Sequence, residues 1–146
     1  MSNVASNIEA FETTGHIRRP LITVAGTMDA LLPIDKHARA YARRVAAQQR
    51  RDDDRDCDRE PAYRLYEVQN GNHIETYKSP PQLAAPPPNT FPQLEFIEAH
   101  AQRAFDLLAD SVENRSELPP SQCIPRGGSI ASTPAQAGHC ASLFAP

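Results

Sequence analysis

Two residues of this sequence stand where their side chains could do chemistry together. Asp29 lies three residues beyond Gly26, which closes the apolar run Leu21 to Ala25, and His73 lies five beyond the alternating run Tyr63 to Val68. In open α/β sheets, functional side chains gather just past the carboxyl ends of the strands. A carboxylate and an imidazole placed there can pair, the carboxylate fixing the ring's tautomer and stabilising the imidazolium. That arrangement is the base half of a nucleophilic triad. Spacing alone leaves the plain readings open: Asp29 as a turn or cap residue ahead of a helix, and His73 as a surface loop residue.

The pair needs a frame, and periodicity supplies four ordered pieces. Leu21 to Ala25 (LITVA) is an almost continuous apolar run entered through Pro20 and closed by Gly26, which predicts a strand buried on both faces. Asp35 can cap a helix from about Lys36 to Gln49, with Ala38, Tyr41, Ala42 and Val45 recurring on one face. Tyr63 to Val68 (YRLYEV) alternates like a half-buried strand. Leu94, Ile97, Ala101, Phe105, Leu108 and Val112 recur at spacings of three and four, predicting an amphipathic helix whose apolar stripe needs a surface.

Between these pieces the sequence reads as loop. Arg50 to Glu60 is a mixed-charge run, best read as solvated, since its Asp spacing lacks the Gly and terminal Glu of a calcium loop. Residues 79–92 form a Pro-rich insertion. Residues 116–146 form a tail rich in Pro, Gly and Ser with no period. The expected class is therefore α/β, with residues 1–115 as a partial domain and 116–146 as an irregular tail. Two strands make at most a marginal sheet, and two helices with a covered strand imply more sheet than this sequence contains.

At these residues a family resemblance emerges. LITVAGTMDALLPIDKHARAY resembles the segment of α/β-hydrolase-fold esterases that carries the triad acid, at Asp29, with Leu32 and Pro33 following. YRLYEVQNGNHIETY is similar to the segment carrying the triad histidine, at His73. Leu118 to Gly128 (LPPSQCIPRGG) is similar to the tail of the 3-hydroxybutyrate oligomer hydrolases and their neighbours, which lie near the tannase and feruloyl esterase group. The resemblance implies the last two core strands of an α/β-hydrolase fold with flanking helices, and Ser-His-Asp hydrolysis of hydroxyalkanoate or aromatic esters. It implies no metal or organic cofactor, and relatives that are secreted or periplasmic.

One part of that machinery is missing. The family mechanism needs a serine on a G-x-S-x-G elbow, ahead of the acid and then the histidine. No G-x-S-x-G occurs. The nearest approach, Gly127-Gly128-Ser129-Ile130-Ala131, lacks the final Gly and follows His73, so it reads as a tail turn. The expectation is a fragment whose serine and oxyanion donors lie in a missing amino-terminal half, inactive as an ester hydrolase alone. The alternative is a non-catalytic interaction module, or a homodimer, that uses the helix of residues 92–112.

Cys123 and Cys140 bracket a loop in the tail, where a disulfide would be worth about 3 kcal/mol in the chain-entropy account; two free thiols are the other reading. Cys57 stands alone in the charged loop. A zinc site from Cys123, Cys140 and His139 lacks a fourth ligand and finger spacing. His37 and His100 are expected to be exposed on their helices, and Glu75 could orient the histidine loop or face solvent.

Composition limits the partners. The 146 residues carry 15 Lys+Arg against 18 Asp+Glu, a net charge of −3 that gives no basic footprint for nucleic acid. No apolar run approaches the roughly 18 residues a membrane span requires. The first twenty residues have neither a basic nor an apolar signal region, so no leader is predicted there. Eleven of the 14 prolines fall at or after Pro80, leaving the earlier sequence to build the sheet.

Overall fold

The structure is a computed structural model that describes residue 4 and residues 13–52, 62–73 and 93–146. Cys57, Glu75, the Pro-rich insertion at 79–92 and most of the expected charged loop lie outside the described residues. Three strands and two longer helices follow in order: β1 (Leu21–Gly26), α1 (Ala38–Asp52), β2 (Tyr63–Val68), α2 (Glu98–Asn114) and β3 (Gln122–Ile124). The sheet is parallel throughout, in the order β1-β2-β3. The class is α/β, as expected, but with three strands where the sequence predicts two.

The third strand lies in the tail expected to be irregular. Its three residues are all buried and lie between Pro119–Pro120 and Pro125, too short to show a period. Gln122 adds polar bonds to the burial of Ile124 here. Its amide donates to the carbonyls of Pro120 and Ala131 and accepts from the Ala131 amide, so a buried polar side chain shapes the returning tail. The amides of Cys123 and Gly138 add bonds to Gln136 and Ser121.

The two faces of the sheet follow from strand alternation. Ile22, Val24, Tyr66, Val68 and Ile124 point to one side and pack with Ala104 of α2 and Ile130. Ala25, Tyr63 and Leu65 point to the other side and meet Ile34, Ala38 and Ala42 at α1. One helix therefore covers each face. Covering both faces buries a parallel sheet, and in the sequential order β1-β2-β3 it gives the two crossovers opposite hands, since crossovers of one hand would leave both helices on the same face.

The two longer strands exchange the environments their sequences predict. β1, read as interior, is the edge strand and is only half-buried up to Gly26. The amides of Leu21 and Thr27 donate to the carbonyls of Ala62 and Val68, which turns the odd-numbered backbone groups toward β2. Those of Ile22, Val24 and Gly26 face the opposite edge, which pairs with no strand among the described residues. β2, read as half-buried, is central and fully buried from Leu65 to Val68. Its polar members are accommodated by partners: the Arg64 guanidinium donates to the Pro119 and Tyr63 carbonyls, and Glu67 pairs with Arg39.

Helix boundaries also move. Asp35 does not cap a helix directly; a turn at 34–37 precedes α1, and the Asp35 carboxylate instead accepts from Arg39 at 3.0 Å. Residues 50–52, assigned to the charged loop, close α1. In α2 the buried residues are His100 and Ala104, not the expected stripe: Phe105 is 71% exposed and Val112 64%. Ala104 lets the helix approach Tyr66 and Val68 closely, and Phe105, one position on, is turned about 100° away. His100, expected to be exposed, is buried. Among the described residues no helix is long and apolar enough to cross a membrane.

Candidate functional site

Gly26 ends β1 and Gly71 follows β2, and the two loops meet there. A Cβ on Gly26 would lie 2.3 Å from the Gly71 carbonyl oxygen. The Thr27 amide donates to Val68 and the Met28 amide to Gly71, at 3.0 and 2.8 Å. Asn70 takes a left-handed conformation, φ 62°, which turns the chain sharply after β2. These contacts bring Asp29 and His73 together from 44 positions apart.

His73 Nδ1 faces Asp29 Oδ2 at 2.9 Å. An ionised carboxylate can only accept, so Nδ1 carries the hydrogen and a neutral ring leaves Nε2 as an acceptor. The Asp29 side chain is 11% exposed and that of His73 38%. The acid is thus sheltered and the imidazole is open on one side.

Asp29 is itself held in place. Its Oδ1 accepts from the Leu31 and Leu32 amides at 2.9 and 2.8 Å, an Asx turn ahead of Pro33. Burial pushes its carboxyl up, but the Leu32 amide, His73 and the Leu31 amide together hold it below the ordinary value. Asn72 spans the gap, its Oδ1 accepting from the His73 amide at 2.7 Å and the Ala30 amide at 3.4 Å. This arrangement can take a proton at Nε2 and stabilise the resulting imidazolium.

Ser129 belongs to the turn beyond β3, where Gly127 has φ 74° and the Gly128 amide donates to Pro125. The structure does not bring it to the pair. Cys123 and Cys140 are joined, with Sγ atoms 2.00 Å apart. Among the described residues no group of three or more His, Cys, Asp or Glu side chains could hold a metal ion.

A second polar cluster escapes sequence reading. The fully buried Glu67 carboxylate accepts from Arg39 Nε and Nη2 at 2.8 and 2.6 Å and from the Cys140 amide at 2.7 Å, and faces His139 Nδ1 at 2.6 Å. Burial raises its carboxyl, and the Arg39, Cys140 and His139 contacts outweigh that and hold it low. The only sequence signal is a charged residue late in a strand, followed 73 positions later by its amide partner.

Against known proteins, a family model described as 3HB-oligomer hydrolase matches residues 1–143. The D-(-)-3-hydroxybutyrate oligomer hydrolase of Burkholderia thailandensis is 29% identical over 138 residues, covering 90% of this chain. Proteins of the same name from Burkholderia mallei and Burkholderia pseudomallei are 28% identical over the same share. The chain spans 17% of the length of these relatives. No solved structure matches.

Proposed function

Because this chain belongs to the 3HB-oligomer hydrolase family, we propose that it supplies the acid and base of a serine ester hydrolase acting on 3-hydroxybutyrate oligomers. His73 is the general base and Asp29 the acid that orients it. The observation that carries this reading is their 2.9 Å contact at the carboxyl ends of parallel strands, with Nδ1 turned inward. Nε2 is thereby left for a substrate-side proton.

In this reading the serine and the oxyanion donors come from the part of the family's polypeptide that the chain does not span. His73 Nε2 takes the serine proton as the hydroxyl attacks the ester carbonyl, then returns it to the departing alcohol. It next takes a proton from water as the water oxygen attacks the acyl carbonyl, and returns it to the serine oxygen as the acyl–serine bond breaks, Asp29 stabilising the imidazolium each time. Without a serine and oxyanion donors the chain is inactive alone. The larger protein has an α/β-hydrolase fold akin to tannases, a reading supported by the edge of β1 that pairs with no strand among the described residues. It works outside the cytoplasm, where a disulfide such as Cys123–Cys140 persists.

The test is co-expression with the remaining segment of the Burkholderia thailandensis relative. Hydrolysis of a 3-hydroxybutyrate oligomer should return, and should be lost with His73→Ala and strongly reduced with Asp29→Asn. Restored hydrolysis indifferent to both substitutions would refute the reading.

A second reading, a non-catalytic module that self-associates through α2, is favoured by the exposed Phe105 and Val112. It requires a dimer in sedimentation that Phe105→Ser dissociates.

A further inference from the structure

Residues 142–146 cross the carboxyl ends of the strands and are gripped by the two loops that carry Asp29 and His73. Gln69 Nε2 donates to the Ser142 carbonyl at 3.0 Å, and the Thr27 hydroxyl donates to the Leu143 carbonyl. Asn70 holds Ala145 in both directions, Nδ2 donating to its carbonyl at 2.6 Å and Oδ1 accepting from its amide at 2.7 Å. Arg126 donates to the Pro146 carbonyl at 2.9 Å. Behind this segment, Cys140 is fixed by the disulfide to β3 and by its amide bond to Glu67.

Asn70 is the centre of this junction. Its second amide hydrogen goes to the Gln93 carbonyl at 2.8 Å, its backbone amide to Thr27 Oγ1 at 2.9 Å, and its own carbonyl accepts from Glu95. Every polar group of a fully buried side chain is thus used, in a left-handed conformation that Asn tolerates. Asp could not donate to the Gln93 and Ala145 carbonyls. Thr27 stands two residues before Asp29, and Asn70 three before His73.

We propose that Asn70 is a positioning residue for the Asp29–His73 pair, and that residues 142–146 are the strap it uses to lock the two loops together. The inference rests on the pairing in the proposed function and adds what maintains it. With the strap bound, Thr27 and Asn70 cannot separate without breaking its half-buried bonds to Leu143 and Ala145 along with their own buried bond to each other. Without it, the loops keep their Gly26–Gly71 contact but lose the outer brace, and the imidazole is freed from the carboxylate.

The test reads the imidazole directly. In the 146-residue chain labelled at histidine nitrogen, His73 should show the Nδ1–H tautomer and a slowly exchanging Nδ1 proton. Two changes should abolish both signals while leaving the β1–β3 amide spectrum intact. One is Asn70→Gly, which keeps the left-handed turn; the other is deletion of 142–146, whose residues are all exposed or half-buried, so the buried core is untouched. Their combination should do no more than either alone. A wild-type tautomer and proton in either folded variant would overturn the strap. Absence of the Nδ1–H signature in the unaltered chain would refute the pairing itself.

Discussion

Gly26 and Gly71 meet backbone to backbone, so the spacing of the two functional loops depends on the absence of one methyl group. A Cβ at Gly26 would lie 2.3 Å from the Gly71 oxygen and 2.4 Å from its carbon, both rigid main-chain atoms. At Gly71 the nearest atoms lie at 3.0 to 3.1 Å, one of them on the movable Ile97 side chain. Overpacking of the first kind costs about 1–3 kcal/mol. Gly26→Ala should therefore lower the urea midpoint clearly and more than Gly71→Ala. Equal midpoints for the two would show that the loops are not in contact.

Arg39 and Glu67 form the most committed ion pair of the described residues, with side chains 12% and 0% exposed. Arg39→Met would leave a buried carboxylate with only the Cys140 amide and His139. Breaking a buried pair from one side costs about 3–5 kcal/mol, because the remaining charge is uncompensated. Adding Glu67→Gln to Arg39→Met should recover part of the loss. A denaturant series on the two single variants and the double variant measures this, and strict additivity would mean that the two residues are not coupled.

The same carboxylates set the acid limit of stability. Asp29 and Glu67 are both held below their ordinary values of 3.8 and 4.5 in the folded chain. The unfolded chain therefore binds protons first as pH falls, so the stabilisation is complete above those values and is lost below them. Unfolding free energy should be flat in this contribution above about pH 5.5 and decline steeply toward pH 3. Glu67→Gln should flatten the decline, and an unchanged slope would remove Glu67 from this role.

The expected pair was legible because each residue follows a strand marked by composition: LITVA by its continuous apolar run, YRLYEV by alternation. What periodicity could not give was the strand order. A run without charged residues reads as interior, yet β1 is the edge, and the strand with Arg64 and Glu67 is the centre. Central burial of those charges depends on Arg39 and on tail carbonyls far away in the sequence. The same holds for β3 and the strap at 142–146, which are held by side chains such as Gln122, Gln69 and Asn70 and not by an apolar pattern. In α2 the period was right and the phase was wrong, because a small residue, Ala104, and not the largest ones, chose the contact face.

The bond between Cys123 and Cys140 joins β3 to the start of the strap across a sequence separation of 17. A loop of that length is worth about 3 kcal/mol in the chain-entropy account. Cys140 also gives its amide to Glu67, so releasing it should loosen the buried pair as well. Because the sequence holds only one other cysteine, Cys57, the Cys57→Ser variant gives a clean reading. Denatured without reductant, it should titrate no thiols, and after reduction two. Its thermal midpoint should fall on reduction, whereas Cys57→Ser with Cys123→Ser should start low and ignore reductant. Two thiols before reduction would mean the bridge does not form, and the strap would then depend on its hydrogen bonds to Thr27, Gln69, Asn70 and Arg126 and on the Cys140 amide bond to Glu67.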